Sequence, residues 1–137
     1  MKAKEYLQQI RSIDAEIYLK ESERRRIWNE ATKTTANLSD DAVFSNNTSD
    51  KVGKNSVELA DIDTAIKHLE SKRKKIIDVI MQLDCLIQVK IIYKHYAEGK
   101  KLTVISKEIG YSYQRTVELH LIALKNLEKI LSSYQNI

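Results

Sequence analysis

Between residues 59 and 83, apolar side chains return at spacings that alternate three and four: Leu59, Ile62, Ile66, Leu69, Ile76, Ile80 and Leu83, with Arg73 holding a charged slot in the row. An α-helix completes a turn every ~3.6 residues, so this alternation lays the whole series on one stripe. A strand would divide it between two faces. The same alternation runs through Tyr6, Ile10, Ile13, Ile17, Lys20, Arg24, Ile27 and Ala31, where Lys20 and Arg24 interrupt it and Trp28 adds bulk beside Ile27. A single amphipathic helix leaves its stripe in water, so each seam demands a partner. Two such helices in one chain predict an all-α protein in which they pack as a long antiparallel hairpin or join a coiled-coil oligomer.

The punctuation of the sequence agrees. There is no proline and there are three glycines in 137 residues, which favours long helices over sheets and tight turns. The helical pattern breaks over residues 34–56, where Thr, Asn, Ser and Asp cluster. This stretch reads as a flexible loop, anchored through Val43 and Phe44 and joining the helices of the hairpin. Ser56 is the expected N-cap of the second helix, with Glu58, Asp61 and Asp63 near its positive end. Residues 1–84 are thus read as the hairpin and residues 85–137 as a separate three-helix domain, with helices near 85–97, 103–109 and 113–132. Gly99 is placed to end the first of these in the left-handed conformation.

Within that domain, residues 102–119 have the form of a helix-turn-helix. Thr103 is expected to cap a short helix. Ser106 is small enough to let a second helix cross closely, and Ile105 and Ile109, four apart, fill the space between the two. Gly110 stands where the chain must turn with positive φ. Tyr111 is expected to plug the core at the turn, and Ser112 to cap the next helix with its hydroxyl. That helix then divides. Thr116, Leu119, Ala123, Leu124, Leu127, Ile130 and Leu131 form an inward stripe, while Tyr113, Gln114, Val117, Glu118 and Leu121 lie on the other side near its start.

In a helix-turn-helix, the start of the second helix meets base edges in the major groove. Ser112, Tyr113, Gln114, Val117, Glu118 and Leu121 are the candidate base-facing residues. Gln114 suits adenine N6/N7 and Glu118 suits cytosine N4. Tyr113 reads either as a packed surface aromatic or as a base or sugar contact. Val117 and Leu121 meet thymine methyls or mark a helix rotated inward. Lys100, Lys101, Lys107, Arg115 and Lys125 are the candidate phosphate contacts, which position a protein without specifying sequence. Charge supports the placement. The formal net charge is +4, and residues 86–137 hold eight Lys or Arg against four Asp or Glu, the whole of that excess. Arg24, Arg25 and Arg26 read as a solvated face or as a phosphate or partner contact.

Other chemistries find no footing. No Gly-rich phosphate loop, metal-spaced Cys/His cluster or nucleophile elbow is present, so no enzyme and no cofactor is expected. His68, His95 and His120 are isolated in sequence, and His120 is expected to be a neutral, partly buried core residue. Cys85 is alone, which excludes an intrachain disulfide and points to a reducing compartment. With no membrane-length apolar run and no apolar stretch behind the basic start, the chain is expected in the cytoplasm.

The last ~50 residues resemble region 4 of the sigma-70 family. Leu102-Thr103, then Ile105, Ile109 and Ser112, then Ala123-Leu124-Lys125-Asn126-Leu127 stand where that family has its leading Leu-Thr, its core, its capping Thr or Ser and its Ala-Leu-Arg-Lys-Leu run. With its long N-terminal helices, the whole chain resembles the small phage-encoded sigma-like regulators, the ArpU-like and RinA-like activators of late genes. The resemblance implies base-facing positions at Tyr113, Gln114, Val117 and Glu118. The family often has Arg where this chain has Tyr113 and Val117. It also implies a regulator without the core-polymerase-binding regions of a full sigma factor. That regulator would bind double-stranded promoter DNA as a homodimer or higher homo-oligomer and could contact host RNA polymerase, in a bacterial cytoplasm. Two rivals remain. A small terminase subunit combines similar parts, usually with the DNA-binding end first. A coiled-coil interaction module, such as a polymerase binder, would not touch DNA at all.

Overall fold

The computed structural model describes residues 2–38 and 45–135. Among them the chain is all-α, with helices α1 (Ala3–Leu38), α2 (Ser45–Ile80), α3 (Leu86–Ile92), α4 (Leu102–Ile109) and α5 (Tyr113–Gln135). The end of α3 widens into a π-helical turn over Tyr93–Ala97, where the Glu98 N–H donates to the Tyr93 carbonyl at 3.2 Å.

The expected loop over 34–56 is largely helix. α1 continues to Leu38 and α2 begins at Ser45, so Ser56 lies inside α2 and is not its N-cap. The segment has no proline, and Ser, Thr, Asn and Asp each cost a helix interior well under ~1 kcal/mol, too little to stop a helix that is already running. Asn55, expected in the loop, is buried at 7% exposure. Val43 and Phe44, the expected anchor, lie outside the described residues.

The contacts divide the chain into two units, Met1–Asp14 with Ser71–Ile137, and Ala15–Glu70. In the second unit the two seams supply the covered face. Ile27 and Leu69 are buried, while Ile17, Leu59, Ile62 and Ile66 are half-buried. Arg24, which interrupts the first seam, is also half-buried, and its Nε donates to Asp63 Oδ1 at 2.7 Å. Arg26 pairs instead along its own helix with Glu23 and Glu30, and Arg25 is exposed. Trp28 does not pack beside Ile27 as expected: it is 57% exposed, because one residue further on rotates its side chain about 100° off the seam.

In the first unit Leu7, Ile10, Ile13, Ile76, Val79, Ile80 and Leu83 are buried. Arg73, the charged slot of the second seam, donates through Nε to Asp14 Oδ1 at 2.8 Å. After α2 the chain tightens, with the Gln82 N–H bonding the Val79 carbonyl at 3.1 Å and the Leu83 N–H the Ile80 carbonyl at 3.2 Å. α3 then packs against α5, and α4 against both. Ile91, Ile105 and Leu119 form the buried centre of these helices, flanked by Ile87, Leu102 and Ile109.

Candidate nucleic-acid interface

α4 and α5 form the turn that the spacing predicts, with two of its details changed. Lys101, not Thr103, stands at the N-cap of α4, in extended backbone and with no side-chain cap. Thr103 lies two residues past the cap, already inside the helix. Its carbonyl accepts a hydrogen bond from Ser106 Oγ at 2.7 Å, which satisfies the hydroxyl where Ser106 is buried. Gly110 ends α4 at φ +75°, a left-handed conformation that an L side chain adopts only under strain. The Tyr111 N–H then closes the turn on the Ser106 carbonyl at 3.1 Å. Tyr111 does not plug the core as expected: it is 43% exposed, and Leu102 and Ile109 are among the residues packed against the core there.

Ser112 caps α5 as expected, its Oγ accepting from the Arg115 N–H at 3.1 Å. Thr116 is fully buried and returns its hydroxyl proton to the Ser112 carbonyl at 2.8 Å. Thr116, Leu119, Ala123 and Leu127 are buried and Leu124, Ile130 and Leu131 half-buried, so the inward stripe is as the sequence reads it. On the other side Ser112, Tyr113, Gln114, Glu118 and Leu121 are exposed and Val117 is half-buried. The helix is therefore not rotated inward at its start. Tyr113 is more than half exposed, a surface aromatic standing clear of the core.

The cations do not form one set. Lys100 is not open to a phosphate: its Nζ lies 2.8 Å from Glu108 and 3.1 Å from Glu98, and Lys94 reaches the other Glu108 oxygen at 2.8 Å. Hydrogen bonds from Lys100 and Lys94 hold the Glu108 carboxyl below the usual carboxylate range, and Glu108 and Glu98 in turn raise Lys100. Arg115 is engaged with Glu118 at 3.1 Å. Lys101, Lys107 and Lys125 are exposed and have no acidic partner among the described residues. Spacing could not show the role of Glu108. It depends on the turn at Gly99 (φ +73°), which brings Lys94 and Lys100 to one carboxylate.

The fold also gathers a ring cluster that the sequence does not show. His95 and His120 are not isolated: their ring centroids are 5.3 Å apart, and Tyr96 stacks on His120 at 5.7 Å. His95 Nδ1 lies 2.7 Å from the Lys100 carbonyl, which can only accept, so Nδ1 carries the proton. Burial, then the charge of His95 and that of Lys4, lowers the His120 pKa to about 4. His120 is thus the neutral core residue expected, and we assign the Tyr96 hydroxyl as donor to its Nε2 at 3.0 Å. Among the described residues no group of His, Cys, Asp or Glu is arranged to hold a metal ion, and no helix is long and apolar enough to cross a membrane. Comparisons with protein-family profiles, with curated protein sequences and with solved structures find no match to this chain.

Proposed function

We propose that this chain is a sequence-specific DNA-binding regulator that lays the start of α5 in the major groove. The observation that carries the reading is the local build of that helix end. A left-handed Gly110 and a Ser112 cap fix α5 against α4, Thr116, Leu119, Ala123 and Leu127 are buried, and Ser112, Tyr113, Gln114, Glu118 and Leu121 are left facing solvent. Lys101, Lys107 and Lys125 supply unpaired positive charge on the same two helices and the turn before them. The resemblance to sigma-70 region 4 and to the phage late-gene activators sets the biological reading: control of phage or prophage genes, with host RNA polymerase as a second partner.

α1 and α2 fit a hairpin that joins two such units. Each unit, taken by itself, has an ion pair between the two helices, Asp14 with Arg73 in the first and Arg24 with Asp63 in the second. Tyr18, Leu19, Trp28 and Val57 are each more than half exposed, which suits an oligomer that covers them. A dimer would present two α5 helices to half-sites about one turn of DNA apart. The same residues favour the second reading, a protein-interaction module that never meets DNA.

Titration of labelled duplex DNA at increasing salt decides between the two. The regulator binds at low salt and loses affinity log-linearly as salt rises, and Gln114→Ala with Glu118→Ala flattens its preference among sequences. No affinity at low salt, or a double variant with unchanged preference, would sink the regulator reading.

A further inference from the structure

The exposed start of α5 is poor in the groups that read G·C pairs. In the major groove guanine is taken chiefly by Arg or Lys on O6 and N7, and cytosine by a carboxylate on N4. Here Arg115 and Glu118 lie 3.1 Å apart and hold each other, so neither reaches a base without abandoning its partner. Gln114 is exposed, and its side-chain amide makes no hydrogen bond among the described residues. Beside it Val117 and Leu121 stand one turn apart, Val117 half-buried and Leu121 54% exposed. A Gln amide matches adenine N6/N7 and an apolar side chain matches the C5 methyl of thymine. Gln114, Val117 and Leu121, which share one face of α5, all match an A·T pair.

Building on the DNA-binding reading, we infer that α5 selects A·T pairs in the major groove, Gln114 pairing with adenine while Val117 and Leu121 pack on thymine methyl groups. The apolar pair on the reading face then has a use. Leu121, exposed, and the half-buried Val117 beside it gain by burying a methyl, and a G·C pair offers them none at that edge. Lys101, Lys107 and Lys125 supply affinity without regard to sequence.

The test swaps thymine for uracil, which removes the C5 methyl and leaves pairing and the minor groove unchanged. Duplexes recovered by the full-length protein from a random pool are remade with uracil at single positions and titrated at low salt. The recovered sequences are expected to be A·T-rich, and each methyl lost beneath α5 to weaken binding about threefold to fourfold. Leu121→Ser, a change at an exposed position, is expected to bring the thymine and uracil duplexes closer together without altering the salt dependence. Salt-dependent binding with equal affinity for both duplexes overturns this inference and leaves DNA binding standing. Recovery of G·C-rich sequences does the same. Absence of any duplex binding removes the DNA-binding reading and this inference with it.

Discussion

His120 shows what a single buried ring costs the fold. Its pKa lies near 4 in the folded chain against an ordinary 6.5, because burial and the charges of His95 and Lys4 oppose the imidazolium. The unfolded chain therefore takes up the proton first as pH falls. Stability from this residue is complete above pH 6.5 and is lost progressively down to about 4, where the folded ring protonates as well. Urea midpoints measured across that range should be level near neutrality and fall below pH 6.5. In His120→Gln, which keeps an acceptor for the Tyr96 hydroxyl, the fall above pH 4.5 should be reduced. Gly110 makes a second demand at this scale. A Cβ there meets no atom within 4 Å, yet φ of +75° strains any L side chain, so space does not rescue the substitution. Gly110→Ala should cost roughly 1–2 kcal/mol, read as a lower denaturant midpoint with an unchanged slope.

At the level of elements, the seams were legible because burial follows a period. Along α1, Tyr6, Ile10, Ile13, Ile17, Lys20, Arg24, Ile27 and Ala31 are all buried or half-buried, and the same holds for the seam of α2. Two of the three charged slots in those seams, Arg24 and Arg73, form cross-helix ion pairs with Asp63 and Asp14. Their partners sit just off each seam and on a distant stretch of chain, so no local pattern could reveal them. The turn at Gly110 and the cap at Ser112 were readable because each depends on one residue type at one position. The cap of α4, the outward Tyr111 and the meeting of His95 with His120 depend on how helices cross, which spacing does not encode. The helix ends around residues 34–56 are not legible in the sequence, because weak helix aversion does not stop a running helix. A charge swap tests the ion pairs. Asp14→Arg and Arg73→Asp should each destabilise the chain, and together they should recover about 0.5–1 kcal/mol, a modest coupling that suits pairs open to solvent. Additive losses in the double-mutant cycle would mean that the pair contributes nothing to holding α1 and α2 together.

For the molecule as a whole, the distribution of charge matters more than its total. The formal excess of +4 is a mild bias, and three of the eight Lys and Arg in the last third already face a carboxylate. Lys94 and Lys100 hold Glu108, and Arg115 holds Glu118. A cation that already has a carboxylate releases no counterion from DNA, whereas an unpaired one releases about one per phosphate met. The proposed regulator should therefore sort its lysines by their partners, not by their place in the sequence. Lys107→Gln and Lys125→Gln should each reduce the slope of log affinity against log salt by about one, with affinity falling alike on all sequences. Lys100→Gln should leave that slope nearly unchanged and instead lower the thermal midpoint, because it removes the lysine that Glu98 and Glu108 share at the turn. Equal slope changes for Lys100 and Lys107 would show that the Glu108 pairs open on binding. No change at any of the three would move the phosphate contacts off α4 and α5, and with them the proposed reading helix.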